Sequence, residues 1–140
     1  MKTLYGNILV AGQINAATIK QLKEIGVSTI INNRPDGEEP GQLTAFEAEE
    51  LARDAGVEYY YLPMANGQPL PESLVEDFRH AVSNAKGNVL AHCRSGMRSS
   101  FIWALGAISA GEVDVDQAIA AAQNAGIPLQ NARAVLESVQ

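Results

Sequence analysis

The sequence contains little of what disulfide-stabilised, membrane-spanning or nucleic-acid-binding proteins require. A single cysteine, Cys93, excludes an internal disulfide bond and leaves no second thiol to resolve an oxidised one. Ten Lys and Arg against sixteen Asp and Glu give a net charge of −6, which argues against general nucleic-acid binding, because that affinity comes from clustered cations. No apolar run approaches the roughly 20 residues of a membrane helix, and residues 1–7 lack the apolar segment of a signal peptide. We therefore expect a cytoplasmic protein.

Short apolar runs alternate with amphipathic patterns along the chain. Residues 8–12, 27–31, 57–62 and 89–92 are predicted strands, and residues 16–25, 44–55, 72–85, 99–110, 114–125 and 129–139 are predicted helices. Alternation of strands with helices implies right-handed crossovers and parallel pairing. The sequence therefore predicts one α/β domain over residues 1–140, with three layers and a mostly parallel central sheet of about four to five strands flanked by helices.

The segment His92-Cys93-Arg94-Ser95-Gly96-Met97-Arg98-Ser99, which we call the cysteine loop, follows the last predicted strand and precedes a helix. Ligands of open α/β sheets bind beyond the carboxyl ends of the strands. Backbone N–H groups at the start of a helix attract anions, Gly96 permits a tight turn, and Arg98 offers a planar fork of donors. The pattern therefore predicts an anion-binding loop.

A cysteine in such a loop is expected to ionise. An ordinary thiol, with a pKa of about 8.5, is mostly protonated at neutral pH, whereas neighbouring cations and a helix N-terminus lower the pKa. The competing interpretation is a buried, inert cysteine, which does not explain the two arginines and the glycine beside it. We therefore expect Cys93 to be a nucleophile held in an anion-binding loop, with Arg94 adding positive potential and His92 orienting the loop.

The string His-Cys-x-x-Gly-x-Arg-Ser resembles the signature of cysteine-dependent phosphatases. Together with Asn32-Asn33-Arg34-Pro35-Asp36 and residues 56–63, it is similar to the bacterial phosphatase-like domain that is found alone or fused to metallo-β-lactamase-type hydrolases, a relative of dual-specificity and tyrosine phosphatases. The resemblance implies a cysteine-phosphatase-like fold, with Cys93 as the nucleophile and Arg98 as the oxyanion clamp. It also implies that the Ser99 hydroxyl assists departure of the cysteine sulfur.

Two departures from the phosphatase pattern affect the expected chemistry. Four residues separate Cys93 from Arg98, where phosphatases have five, and this shorter spacing resembles rhodanese loops. The loop at residues 63–71 lacks the aspartic acid that protonates the leaving group in dual-specificity phosphatases. Asp36 could substitute as an acid, although a turn-capping role is the simpler interpretation.

Three functions remain open. A rhodanese-like sulfurtransferase would form a persulfide on Cys93, and both departures favour it. A phosphatase, acting on protein or small-molecule phosphate esters, would form a phosphocysteine. A non-catalytic module would sense an anion or a redox state. None requires a cofactor, and Glu47 and Glu50 have no histidine beside them to complete a metal site. The expected partners are a small anionic, sulfane-sulfur or phosphorylated substrate and, by resemblance, a metallo-β-lactamase-type persulfide hydrolase.

Overall fold

The computed structural model describes all 140 residues, and its centre is a five-stranded sheet. The strands are β1 (Lys2–Tyr5), β2 (Ile8–Ala11), β3 (Val27–Asn32), β4 (Glu58–Tyr61) and β5 (Asn88–His92). They lie in the order β1-β2-β5-β3-β4, so the last strand in the chain is the central one. Only the β1–β2 pair is antiparallel, and the other three pairs are parallel.

Six α-helices surround the sheet. They are α1 (Ala16–Gln21), α2 (Ala45–Asp54), α3 (Leu74–Ser83), α4 (Met97–Ser109), α5 (Val115–Asn124) and α6 (Arg133–Ser138). Single 3₁₀ turns follow α1 at Leu22–Ile25 and precede α6 at Gln130–Ala132. The longest helix has 13 residues, and none combines the length and apolarity needed to span a bilayer.

Two hydrophobic cores lie on opposite faces of the sheet. The larger one gathers 24 buried residues, including members of α3, α4, α5 and α6, and the smaller one gathers nine, including members of α1 and α2. Central helix α4 is buried nearly all round, as its apolar sequence predicts, with Ile102 and Ala104 fully inaccessible. The predicted three-layer, mostly parallel α/β architecture is confirmed.

The structure differs from the sequence prediction mainly at the ends of elements. Strand β1 was not predicted, because Lys2–Tyr5 has no apolar run and only Leu4 of its four residues is buried. Helix α4 begins at Met97 rather than Ser99, which draws Arg98 into its first turn. The predicted helix at 129–139 is a 3₁₀ turn followed by six α-helical residues.

Candidate active site

The cysteine loop begins at the carboxyl end of the central strand and is fixed to both neighbouring strands by backbone hydrogen bonds. On one side the N–H of Cys93 donates to the Ala11 carbonyl at 3.4 Å, and the N–H of Gln13 donates to the Arg94 carbonyl at 3.3 Å. On the other side the N–H of Asn33 donates to the His92 carbonyl at 2.8 Å. The loop is therefore anchored at its start by the ends of β2 and β3.

The sulfur of Cys93 lies inside a ring of backbone amides. Gly96 has a φ of +93°, a conformation that glycine adopts without steric cost, and its N–H donates to Cys93 Sγ at 3.0 Å. Burial raises the pKa of this thiol, but hydrogen bonds from the amides of Ser99, Ser95, Gly96 and Arg98 outweigh burial and lower the pKa below its ordinary value. The loop therefore favours the thiolate.

Arg98 extends from the first turn of α4 and is 7% exposed. Its Nη1 donates to Glu38 Oε2 and to the Met64 carbonyl, and its Nη2 donates to Glu38 Oε1, each at 2.8 Å. A guanidinium has five N–H donors, so these contacts leave Nε–H and one Nη2–H, which share an edge of the planar group. The pKa of Arg98 is raised chiefly by Glu38, and the charge of Cys93 raises it further, against the effect of burial. The arrangement can bind an oxyanion at the free edge.

Glu38 is the site residue that the sequence analysis missed. Its carboxylate receives two hydrogen bonds from Arg98 and a third from Nε of Arg34 at 2.9 Å. The hydrogen bond from Arg98 is the largest influence on its pKa, which falls to about 2 despite opposing desolvation and with help from Arg34. Glu38 is therefore an anion at neutral pH and holds two cations in place.

Arg34 is a second buried cation at the carboxyl end of β3. It is 1% exposed, and its Nη1 donates to Gln13 Oε1 and Glu39 Oε1 at 3.2 Å. The segment Asn32–Arg34 was recognised only as part of a family resemblance. All three residues are buried at the end of β3 and just beyond it, where polar side chains are usually exposed, and no sequence pattern predicts this burial.

The other predicted loop residues lie around the sulfur in different roles. Arg94, Ser95 and Met97 are exposed at the rim. The Ser99 hydroxyl donates to Asn33 Oδ1 at 2.7 Å rather than to the sulfur. His92 is 1% exposed, and its buried Nδ1 has no hydrogen-bond partner. Burial and the charge of Arg34 lower the pKa of His92 to about 4, so it is neutral at physiological pH.

Asp36, the predicted substitute acid, has a structural contact. Its Oδ1 accepts a hydrogen bond from the N–H of Ala45 at 2.8 Å, at the start of α2, and its own N–H donates to the Tyr61 hydroxyl at 2.9 Å. The segment at residues 63–71 contributes the carbonyl of Met64 to Arg98 but has no carboxylate. The carboxylate that contacts the cysteine loop is Glu38.

A mostly parallel α/β sheet, a cysteine after its central strand and an arginine in the first turn of the following helix define a cysteine-phosphatase-like domain. The kinase associated phosphatase has the same fold, with a TM-score of 0.71 at 15% identity over 95% of this chain and 82% of that one. A candidate phosphatase from Neisseria meningitidis Z2491 is much more similar, with a TM-score of 0.88 and 32% identity over 99% of this chain and 97% of that one.

The chain belongs to the family of the phosphatase-like domain of β-lactamase hydrolase-like proteins, whose profile matches residues 1–111. A β-lactamase hydrolase-like protein of Xylella fastidiosa strain 9a5c is 33% identical over 130 residues, which is 93% of this chain but 30% of that protein. The chain therefore spans under a third of that curated relative. The resemblance inferred from the cysteine loop is confirmed.

Proposed function

We propose that this domain is a sulfurtransferase in which Cys93 attacks a sulfane sulfur, carries it as a persulfide and passes it to a thiol or cyanide. The amide ring lowers the pKa of Cys93 and so favours the thiolate, the form that acts as a nucleophile in catalysis by cysteine. Arg98 would bind the charged end of the donor through its free edge. Arg94 adds positive potential at the rim.

The main support for sulfur transfer is that Glu38, the carboxylate beside the cysteine loop, is ionised. Glu38 has a pKa of about 2 and is bonded to two arginines, so it has no proton to give at neutral pH. An alkoxide or phenolate leaving group needs a proton, and a missing general acid costs about 10²- to 10⁴-fold in rate. Sulfite, sulfinates and acidic thiols leave as stable anions without one.

Phosphate-ester hydrolysis is the second candidate, and the comparisons favour it. The matching family is described as phosphatase-like, and the Neisseria structure is described as a candidate phosphatase. Cys93 would then form a phosphocysteine that water hydrolyses, with Arg98 on the phosphoryl oxygens. Asp36 accepts a hydrogen bond from Ala45 at Oδ1, so its other carboxyl oxygen would have to carry the proton for it to serve as the acid.

A metallo-β-lactamase-type persulfide hydrolase is the partner we propose for the sulfurtransferase. Support comes from the name and length of the curated relatives, of which this chain matches only a part. A hydrolase domain acting on persulfides would supply or consume the sulfur that Cys93 carries.

A paired assay separates the candidates. Purified protein receives thiosulfate or glutathione persulfide with cyanide in one arm and an aryl phosphate in the other, each against Cys93→Ser. We expect thiocyanate formation that depends on Cys93, and a mass gain of one sulfur on the protein after donor alone. Cys93-dependent phosphate release without sulfur transfer would establish the hydrolase instead, and inactivity in both arms would favour an anion sensor.

A further inference from the structure

A cavity of about 330 Å³ opens beside Arg98. Its walls come from the segment after β4, from the first two turns of α4 and from the connection between α5 and α6. Arg98 and Met97 belong both to this cavity and to the cysteine loop. The cavity is therefore continuous with the candidate active site.

The lining of the cavity is mostly apolar. Met64, Phe101 and Leu129 form apolar walls, and Met97 is 42% exposed at the rim. Asn66 and Asn131 supply amides, and Arg98 is the one charged residue of the lining. Pockets that take small organic ligands have this composition, with hydrophobic walls and a few polar groups that set orientation.

The apolar walls of the cavity lie next to Arg98. Phe101 lies four residues after Met97 on α4, so the two side chains share a helix face one turn apart. Met64 is held beside the arginine because its carbonyl accepts a hydrogen bond from Arg98 Nη1. A molecule whose anionic end binds Arg98 would place its remaining atoms between these side chains.

We propose that the cavity binds the organic part of the sulfur donor, and that this part is an uncharged apolar group about the size of an aromatic ring. The inference rests on the proposed sulfur transfer and names its substrate class, an apolar thiosulfonate or persulfide. A zwitterionic peptide persulfide fits the lining poorly, because its carboxylates and ammonium group would lose water without gaining partners. Inorganic thiosulfate leaves the cavity unused.

Sulfur transfer from such a donor needs no added oxidant or reductant. The Cys93 thiolate attacks the terminal sulfur of R–SO₂–S⁻, a sulfur–sulfur bond forms on the enzyme, and the bond to the sulfonyl sulfur breaks. The electron pair of that bond leaves with the sulfinate, R–SO₂⁻. Cyanide then takes the outer sulfur of Cys–S–S⁻ as thiocyanate and restores the thiolate.

The test compares benzenethiosulfonate with methanethiosulfonate at fixed cyanide, with each rate divided by the rate of the same donor with a free thiol. We expect kcat/KM to favour the aryl donor by at least about tenfold, because the ring buries apolar surface. Phe101→Ala and Phe101→Leu should reduce this preference. The preference is a ratio measured within one variant, so partial unfolding lowers both rates and leaves it unchanged.

Phe46→Ala is the matched control, because Phe46 is 70% exposed on α2 and does not line the cavity. Its donor preference should equal that of the wild type. Transfer from both donors with no aryl preference, or with a preference that both Phe101 variants retain, would overturn this inference while leaving sulfur transfer intact. Failure of every donor would overturn the proposed function and, with it, the inference.

Discussion

Cys93 and Glu38 are the two acidic groups of the candidate active site, and the surroundings of each lower its pKa. Cys93 is buried, which alone would keep its thiol protonated, yet the surrounding amides reverse the effect. Glu38 ionises because two guanidinium groups surround it. Cys93 and Glu38 thus lie among Arg34, Arg98 and the N-terminus of α4. A variant that removes one of these contacts should show how much that contact contributes to stability and activity.

Replacing Glu38 by Gln should loosen Arg98. The variant loses the bidentate ion pair and keeps a neutral amide of the same size, so we expect unfolding free energy to fall by about 1–3 kcal/mol. Transfer activity should fall about tenfold as the guanidinium loses its fixed orientation. Urea unfolding and steady-state rates measure the two effects.

Glu39→Gln is the control for this change. Glu39 is half exposed and contacts Arg34 but not Arg98. Water screens this pair on the Glu39 side, although Arg34 is buried, so the variant should lose less stability and activity than Glu38→Gln. Equal losses of stability and activity in Glu38→Gln and Glu39→Gln would mean that the effect comes from removing a negative charge near the site, not from losing the contact with Arg98.

His92 should make the protein less stable in mild acid. Its pKa is about 4 in the folded chain against the ordinary histidine value of 6.5, so between these values the unfolded chain binds a proton that the folded chain does not. Stability contributed by the neutral imidazole is complete above pH 6.5 and is lost as the pH falls toward 4. The expected loss is on the order of 3 kcal/mol.

Urea unfolding at pH 7 and pH 4.5 measures this effect. His92→Gln should show a smaller loss between the two pH values than the wild type does. His80→Gln is the matched control, because His80 is exposed on α3 and should leave the dependence unchanged. If His92→Gln lost as much unfolding free energy between pH 7 and pH 4.5 as the wild type does, another group would be responsible for the acid sensitivity.

At the scale of elements, the end of β2 shapes the cysteine loop. A Cβ at Gly12 would lie 2.6 Å from the Arg94 carbonyl oxygen, a backbone atom that cannot move alone. Gly12→Ala should therefore displace the loop and slow both alkylation of Cys93 and sulfur transfer by about tenfold or more. Iodoacetamide labelling followed by mass spectrometry measures the first rate.

Gly87 provides the matching substitution at the other end of the sheet. A Cβ there would lie 2.8 Å from the Gly26 carbonyl oxygen, just before β5 and away from the loop. Both alanine variants should lose stability, but Gly87→Ala should keep the wild-type reactivity of Cys93 once folded. Loss of reactivity in both would show that the loop responds to any disturbance of the sheet.

Local patterns predicted the elements better than they predicted the contacts between them. Asn15, Thr44 and Asp114 are residue types that favour helix N-caps, and in the structure the side chain of each accepts a hydrogen bond from the backbone N–H three residues ahead. The cysteine loop could also be predicted, because its residues are consecutive in the sequence. Glu38 lies 60 residues before Arg98, and no local pattern distinguishes it from Glu39. The pairing of Glu38 with Arg98 depends on tertiary structure, because Glu38 follows β3, Arg98 follows β5, and these two strands are neighbours in the sheet.

At the scale of the whole molecule, the segment after residue 111 is part of the core although the family profile ends there. Helices α5 and α6 and their connection cover the larger core. The large aliphatic residues buried in this segment are Val113, Val115, Ile119, Ile127, Leu129 and Leu136. Leu129 also lines the cavity beside Arg98. The closing segment therefore contributes both to folding and to the candidate active site.

A chain ending at residue 111 should consequently fail to fold. Each of those six side chains stabilises the folded state by roughly 1.5–3 kcal/mol on burial. Their sum is comparable to the whole unfolding free energy of a small protein, about 5–15 kcal/mol. We expect residues 1–111 to show no cooperative unfolding transition and to bind a hydrophobic dye, whereas the full chain unfolds cooperatively. A cooperative transition in the shortened chain would mean that the sheet and α1 to α4 form a sufficient core without their cover.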